Sequence, residues 1–212
     1  MKLYTFWRSS AAYRVRIALN LKGIAVESLP VRFRPAEHRL PAYLAKNPQG
    51  LVPALETDTA VLAQSLAIIE YLEETRPDPA LLPRDPVARA QVRSMALAVA
   101  CDIHPLNNLR VLNYLRQPLG HDDAQVNAWV RHWISTGLAG LEKMAVAMSG
   151  SGRHLFGEAV SVADLCLVPQ VYGARRFQCD LTDFPTLVAI DDHLRTLPAF
   201  AAAAPERQPD AE

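Results

Sequence analysis

The stretch from residue 2 to residue 23 constrains the fold of this chain more than any other part of the sequence. Residues 3–6 alternate in polarity as a β-strand does, and the residues from 11 onward place apolar side chains at helical spacing. Ser9 and Ser10 stand at the junction, where a helix N-cap is expected, and Gly23 stands where a glycine commonly ends a helix. The pattern predicts a strand that leads directly into a capped helix.

The N-terminus of this predicted helix is also a candidate anion site. Unpaired N–H groups and the helix dipole give such an end a partial positive charge. Arg8, Arg14 and Arg16 add cationic charge nearby. Two interpretations are open from this stretch alone: a capped helix with a basic outer face, or a site that holds a thiolate or a carboxylate.

The residues up to about 80 complete an α/β half. Residues 24–31 predict a second strand, and a strand–helix–strand crossover makes the two strands parallel. After a basic, proline-containing loop, the segments 54–56 and 61–63 predict a hairpin. Residues 64–65 then open a further helix, with Ser65 as a candidate N-cap. This order of elements is that of a thioredoxin-like domain, although no Cys-x-x-Cys pair is present.

The remainder of the chain is predicted to be helical. Four prolines between residues 77 and 86 indicate a linker. The fold class is therefore α/β plus all-α, with a thioredoxin-like domain at 1–80, a linker at 81–86 and a helical-bundle domain at 87–212. Within the last domain we expect a helix over 87–116, which Pro105 bends without ending, and a second helix over 123–148. A capping-box pattern at Ser161–Asp164 should open a third helix. Pro185 and Pro198 should open short helices, and the tail after Pro205 should be frayed.

Composition and charge narrow the function classes. The chain has 22 basic and 22 acidic residues, and this balance argues against nucleic acid or an anionic membrane surface as the main partner. Its three cysteines are far apart and odd in number, which suits a reducing cytoplasm and gives neither a disulfide framework nor metal-ligand spacing. No apolar run is long enough for a signal-peptide core or a membrane span. We therefore expect a soluble, cytoplasmic protein without a metal site.

Several motifs, in order along the chain, resemble those of the zeta-class glutathione transferases, the family of maleylacetoacetate isomerase. They are Arg8-Ser9-Ser10 with Arg14-Val15-Arg16-Ile17-Ala18-Leu19, Asn47-Pro48-Gln49, Val52-Pro53, the run QSLAIIEYL at 64–72 and the run ADLCLVPQV at 163–171. The resemblance covers nearly the whole chain, and it is greatest to the bacterial maleylpyruvate isomerase branch. The family usually has a cysteine after the serine pair, where this chain has Ala11.

The resemblance implies a glutathione transferase fold and glutathione as the cofactor. Ser9 and Ser10 would orient and ionise the glutathione sulfur, and Val52, ahead of a cis Pro53, would pair its backbone with the cysteinyl part. The pair at 64–65 would bind the γ-glutamyl carboxylate. His38 would reach the glycyl carboxylate, with a solvated loop histidine as the alternative. The full set of implied cofactor-binding residues is Ser9, Ser10, Ala11, His38, Gln49, Val52, Pro53, Gln64, Ser65, Asp102, His104 and Asn108.

The same resemblance implies a small dicarboxylate substrate and a homodimer. Positions 104, 107 and 108 would share one helix face in the substrate cleft, although a solvated polar face is the alternative. Asp102 would reach toward the glutathione of the partner subunit. The implied substrate-binding residues are Arg8, His104, Asn108, Arg110 and Arg176.

The implied activity is glutathione-dependent cis–trans isomerisation of a maleyl keto diacid by thiolate addition, bond rotation and elimination, with Ser9, Ser10, Arg8 and Arg176 as catalytic residues. A thiol of ordinary pKa, about 8.5, must be ionised at neutral pH, and a helix N-terminus, a hydroxyl donor and cations all favour the thiolate. His104 and Arg110, where the family usually has Gln and Ser, favour maleylpyruvate over maleylacetoacetate and hence a role in aromatic-compound catabolism.

Three alternatives remain open at this point. They are a maleylacetoacetate isomerase, a general glutathione transferase and a non-enzymatic dimerisation module. The arginine-rich cleft argues against the second, and the presence of Ser9, Gln64 and Ser65 argues against the third.

Overall fold

The computed structural model describes residues 1–212, and the chain divides into two compact units. The first unit combines Met1–Leu81 with Thr196–Glu212, and the second contains Leu82–Arg195. The division near residue 81 lies at the linker expected from the prolines. The C-terminal segment, predicted to belong to the helical domain, groups instead with the N-terminal unit.

The first unit contains a four-stranded mixed sheet. Its strands are β1 (Lys2–Thr5), β2 (Glu27–Pro30), β3 (Ala54–Glu56) and β4 (Val61–Ala63), in the spatial order β2-β1-β3-β4. β1 pairs in parallel with β2 and antiparallel with β3, while β3 and β4 form the predicted hairpin. The thioredoxin-like prediction is thereby confirmed.

The first unit also contains four α-helices. They are α1 (Ser10–Leu21), the single-turn α2 (Pro41–Leu44), α3 (Ser65–Thr75) and, from the end of the chain, α9 (Pro198–Ala203). Every residue of α1 from Ala12 to Leu19 is buried, because α3 and α9 both pack against this helix. Gly23 follows α1 with a φ of 63°, a conformation that glycine adopts without a steric penalty, as expected of a helix stop.

The second unit is helical. Its α-helices are α4 (Pro86–Leu97), α5 (Leu109–Arg116), α6 (Asp123–Met148), α7 (Val162–Arg176) and α8 (Pro185–Leu194). The bounds of α6 and the prolines that open α8 and α9 agree with the sequence prediction. At the start of α7 the fully buried Asp164 accepts hydrogen bonds from the Ser161 backbone N–H and hydroxyl, and from the Leu155 N–H, so the expected capping box is confirmed.

The segment around Pro105 differs from its prediction. α4 passes into a π-helical turn at Ala98–Ile103 and a 3₁₀ turn at His104–Asn107, and the extended backbone of Asn108 then ends the helical path. Pro105 lacks an N–H for the α-helical ladder, so the chain begins a new helix, α5, rather than bending through. The prediction of one bent helix over 87–116 was wrong.

The C-terminal tail is ordered against the first unit, and the prediction that it frays was wrong. Pro205–Arg207 form a 3₁₀ turn, and the Gln208 side chain donates to the carbonyl oxygens of Ala202 and Ala204. The Asp210 carboxylate accepts the Trp7 backbone N–H at 2.9 Å.

Among the helices of this chain, none combines the length and the apolar character that crossing a bilayer would require.

Candidate functional site

Ser9 is the N-cap of α1 and lies directly after the strand-to-helix turn. Its Oγ accepts the backbone N–H of Ala12 at 3.2 Å, and its own N–H donates to the Phe6 carbonyl at 3.0 Å. Because the Oγ is used as an acceptor, the hydroxyl proton is available to donate to an anion placed at the helix end. Ser10 is the first helical residue and Ala11 follows it, both half-buried. The predicted capped junction is confirmed.

Arg8 is the exposed cation of this junction. Its guanidinium carbon lies 5.0 Å from the centroid of the Trp7 ring, so the charge is held beside the strand-to-helix turn by a cation–π contact. The neighbouring backbone is anchored from the far end of the chain through Asp210.

Arg14 and Arg16 are buried, so the interpretation of α1 as a helix with a basic outer face was wrong for these two residues. Arg16 donates to the carbonyl oxygens of Phe6, Trp7 and Ala203 and to the Thr5 hydroxyl, at 2.9–3.4 Å. Burial lowers the pKa of Arg16 to about 10, which leaves it charged at neutral pH. Its role is therefore to fasten the turn that carries Ser9 to the C-terminal helix.

The start of α3 forms a second polar group in the first unit. Gln64 is the N-cap residue, with a φ of 70°, and its Nε2 donates to Oε1 of Gln49 at 2.7 Å. Ser65 is the first helical residue rather than the predicted N-cap, and it is buried. Its Oγ accepts Nη1 of Arg14 at 3.3 Å. This arrangement combines a hydroxyl, a helix N-terminus and a buried guanidinium, which together suit a carboxylate.

The approach to β3 has the backbone geometry expected from the family resemblance. The Val52–Pro53 peptide bond is cis, and Val52 is buried. Gln49 lies just before it, and its N–H donates to Oδ1 of Asn47 at 3.2 Å.

His38 lies in a 3₁₀ turn, Glu37–Arg39, rather than in an open loop. Its ring stacks on that of Phe33 with the centroids 4.3 Å apart, and its Nδ1 is buried without a partner. Burial lowers the pKa of His38, and the charge of Arg39 adds to this effect, so the environment favours the neutral ring. A role toward the glycyl carboxylate stays a prediction.

The predicted cleft residues of the second unit lie in and after the broken helix. Asp102 is exposed in the π-helical turn, and His104 is half-buried in the 3₁₀ turn. Asn108 is the N-cap of α5, where its Oδ1 accepts the N–H of the exposed Arg110 at 3.2 Å. The expectation that residues 104, 107 and 108 share one α-helical face was wrong, because the backbone changes from 3₁₀ to extended at Asn108.

Two adjacent arginines at the end of α7 have different environments. Arg175 pairs with the fully buried Asp191 and, at 3.0 Å, with Asp192. Arg176 is exposed, and its guanidinium carbon lies 4.4 Å from the centroid of the Phe177 ring. The assignment of Arg176 to the substrate stays a prediction.

A cavity of about 460 Å³ in the second unit lies apart from these residues. It is lined by side chains of α5, α6 and their connection, among them Leu119, Trp129 and His132, and by none of the predicted site residues. We do not assign the chemistry to it, because it contains neither the hydroxyl groups nor the arginines that the site requires. No group of three or more His, Cys, Asp or Glu side chains is placed to hold a metal ion.

The chain is similar over its full length to curated isomerases. It is 52% identical over 210 residues to the maleylpyruvate isomerase of a Ralstonia species, covering 99% of both chains. It is also 52% identical over 213 residues to the maleylacetoacetate isomerase of Pseudomonas aeruginosa, covering 99% of this chain and 98% of the relative. The family of the glutathione S-transferase N-terminal domain matches residues 3–80.

Solved structures agree with these sequence matches. The holo structure of a maleylpyruvate isomerase, described as a bacterial zeta-class glutathione S-transferase, superposes with a TM-score of 0.98 at 52% identity over 100% of both chains. A maleylacetoacetate isomerase from Methylobacterium extorquens, solved with bound malonate and glutathione, gives a TM-score of 0.96 at 46% identity, again over 100% of both chains.

Proposed function

The chain belongs to the zeta class of the glutathione transferase family, and on that premise we propose that it is a glutathione-dependent cis–trans isomerase of a maleyl keto diacid, with maleylpyruvate as its substrate. The observation that carries this proposal is the position of Ser9, whose hydroxyl caps α1 and keeps a proton to donate. Glutathione is the cofactor, and the groups at the starts of α1 and α3 fit its thiol and one of its carboxylates.

The groups at the starts of α1 and α3 would hold glutathione, which would supply a thiolate for addition to the substrate double bond and later elimination, so that the bond could rotate in between. Ser9 stabilises the charge on sulfur by donating its hydroxyl proton. The helix dipole and the exposed Arg8 act in the same direction. Ser10, at the first position of α1, supports the same end of the helix. Neither serine acts as a nucleophile, because no base is placed beside it.

Ala11 stands where many family members have a cysteine. A protein thiol is therefore not required by the chemistry that we propose. This agrees with an external thiol as the only sulfur that touches the substrate.

The substrate brings two carboxylates and develops further negative charge on the carbonyl oxygen beside the reacting carbon. We assign Arg8 and Arg176 to these charges, with His104, Asn108 and Arg110 as the remaining contacts. Preorganised hydrogen-bond donors at such a position typically stabilise the transition state by several kcal/mol. The glutathione peptide is assigned to Gln49, Val52, Pro53, Gln64 and Ser65, with His38 toward its glycyl end.

Sequence identity does not distinguish the two candidate substrates, because the chain is 52% identical both to a maleylpyruvate isomerase and to a maleylacetoacetate isomerase. The choice therefore depends on the charge of the residues assigned to the substrate. His104 and Arg110 add polar and positive character to the cleft, which suits the shorter and more compactly charged maleylpyruvate. The activity then belongs to aromatic-compound catabolism in the cytoplasm. We further propose a homodimer in which Asp102 of each subunit reaches the glutathione of its partner.

The test is to incubate the protein with glutathione and with each maleyl keto acid separately, and to follow the cis-to-trans change in absorbance. We expect a specificity constant for maleylpyruvate above that for maleylacetoacetate and no turnover without glutathione. A preference for maleylacetoacetate would change the substrate assignment. Conjugation of aryl halides without isomerisation of either acid would identify a general transferase and contradict the proposal.

Sedimentation of the protein tests the assembly, and the change Asp102→Ala should weaken glutathione binding. A fully active monomer would contradict the proposed homodimer.

A further inference from the structure

Arg14 is a charged side chain in the interior of the first unit with few of its hydrogen-bonding groups satisfied. It is 1% exposed, and its guanidinium makes one hydrogen bond, from Nη1 to Ser65 Oγ. Its Nε and Nη2 have no partner. A buried cation without acceptors or a counter-ion destabilises a folded protein unless an anion is close when the protein functions.

Arg16, two residues further along the same helix, is a buried arginine whose hydrogen bonds can be compared with those of Arg14. It is buried to a similar degree, but its donors reach three carbonyl oxygens and a hydroxyl. Burial in α1 therefore does not by itself leave an arginine unsatisfied. Of these two arginines, only Arg14 leaves its Nε and Nη2 without acceptors.

The position of Arg14 indicates which anion would compensate it. Its one hydrogen bond goes to Ser65, the first residue of the eleven-residue helix α3. Since Ser65 Oγ accepts this bond, its hydroxyl proton can be donated to a ligand. The first N–H groups of α3 have no partners within the helix and favour an anion at the same place.

We propose that Arg14 is a positioning residue for the γ-glutamyl carboxylate of glutathione, which it attracts from behind Ser65 without direct contact. This inference rests on the proposed function, because it takes glutathione as the ligand at the start of α3. Arg14 fixes the orientation of the Ser65 hydroxyl and places a positive charge in a region shielded from water. Charge interactions are stronger there than at the surface.

This role predicts opposite effects on stability and on binding. Replacing a buried, uncompensated cation by an apolar side chain of similar length is often neutral or stabilising. Arg14→Met should therefore leave the melting temperature of the ligand-free protein unchanged or raise it. The same change should weaken glutathione binding by about 10- to 100-fold, because it removes a nearby positive charge in a region of low dielectric and the hydrogen bond that orients the Ser65 hydroxyl.

The decisive experiment compares glutathione with γ-aminobutyryl-cysteinyl-glycine, which lacks only the α-carboxylate of the γ-glutamyl residue. Calorimetry gives the dissociation constant of each peptide for the wild type, Arg14→Met, Arg14→Lys and the control Arg16→Met. We expect the wild type and Arg16→Met to prefer glutathione strongly, Arg14→Met to prefer it about 10- to 100-fold less, and Arg14→Lys to fall between them. Arg16→Met should lower the melting temperature, since its satisfied hydrogen bonds are lost.

The outcomes separate the two proposals. If the wild type binds both peptides equally, the carboxylate site at Ser65 is wrong, and with it the assigned division of the glutathione site. If the wild type discriminates but Arg14→Met discriminates as strongly, the inference about Arg14 fails alone. A melting temperature that falls as far in Arg14→Met as in Arg16→Met, with unchanged discrimination, would identify a purely structural arginine. Should Arg14→Met not fold, the same comparison with Arg14→Lys decides.

Discussion

The two adjacent arginines at the end of α7 should give opposite phenotypes when each is changed to alanine. Arg175 compensates the buried carboxylate of Asp191, whose pKa burial raises and Arg175 lowers. Arg176 is exposed beside Phe177 and is assigned to a substrate carboxylate. Arg175→Ala should therefore lower stability and spare catalysis, whereas Arg176→Ala should do the reverse.

The magnitudes follow from what each change leaves behind. Removing one partner of a buried ion pair typically costs about 3–5 kcal/mol. Arg195, whose Nη1 lies 3.8 Å from Asp191 Oδ2, remains as a second cation, so we expect about 2–3 kcal/mol, or a fall in melting temperature of roughly 4–12 °C. Losing Arg176 should reduce the specificity constant for the diacid by about 30- to 1000-fold, which corresponds to about 2–4 kcal/mol of transition-state stabilisation.

Steady-state kinetics with the diacid and glutathione varied separately, together with thermal unfolding, measures both effects. The KM for glutathione should stay near the wild-type value in Arg176→Ala, because Arg176 is not among the residues assigned to the peptide. Arg176→Lys should retain part of the binding and lose rate, since lysine keeps the charge but lacks the planar fork. Unchanged turnover of the diacid in Arg176→Ala would refute the assignment and leave Arg8 and Arg110 as the anion site.

Three further predictions test other parts of the molecule. Gln64→Ala should raise the KM for glutathione more than it lowers the rate at saturation, because this contact is equal in the ground and transition states; steady-state kinetics showing the opposite pattern would place Gln64 in the chemistry. Alkylation of the accessible cysteines, Cys101 and Cys179, should leave most isomerase activity, because the reacting thiol is external; complete inactivation by labelling of Cys179 in a folded protein would contradict this. Burial raises the pKa of Asp164 to about 6, above its unfolded value of 3.8, so the folded form holds this proton more tightly than the unfolded form. As the pH rises from about 4 to about 7, the free energy of unfolding of the wild type, measured with urea, should therefore fall relative to that of Asp164→Asn. A stability of the wild type that rises with pH relative to this variant would contradict the prediction.

The local signals in the sequence predicted the parts of the fold that are decided locally. Ser9, Gly23 and the capping box at Ser161–Asp164 act through neighbours a few residues away, and each has its expected role. The fold class could be predicted because the spacing of strands and helices and the family motifs agree. These features determine where the hydroxyl groups of the site lie.

The break near Pro105 could not be predicted, because it depends on packing within the helical unit. Trp129 Nε1 donates to the Leu106 carbonyl at 2.8 Å and holds the 3₁₀ turn in place. Gly137 allows Ile103 to approach so closely that a Cβ at position 137 would lie 2.2 Å from Ile103 Cγ1. Neither contact leaves a periodic signal around residue 105.

The burial of the α1 arginines was missed for a related reason. A charged residue in a helix is expected to be exposed. Arg16 is buried instead, because its Nε donates a hydrogen bond to the carbonyl oxygen of Ala203, 187 residues away. The one available signal is that Arg14 and Arg16 interrupt a stretch, 11–19, that is otherwise mostly apolar. Such a stretch favours a helix surrounded by protein on all sides.

The fastening of the N-terminal turn by α9 and the tail has a consequence for how the protein is made. Synthesis proceeds from the N-terminus, and domains generally begin to fold as they emerge from the ribosome. The turn before Ser9 emerges well before Ala203 and Asp210, which hold it. The glutathione-binding unit therefore reaches its final form only after the helical unit between its two segments has been synthesised, and a nascent chain stalled anywhere in α6 would carry the serine pair without the contacts that hold it in place.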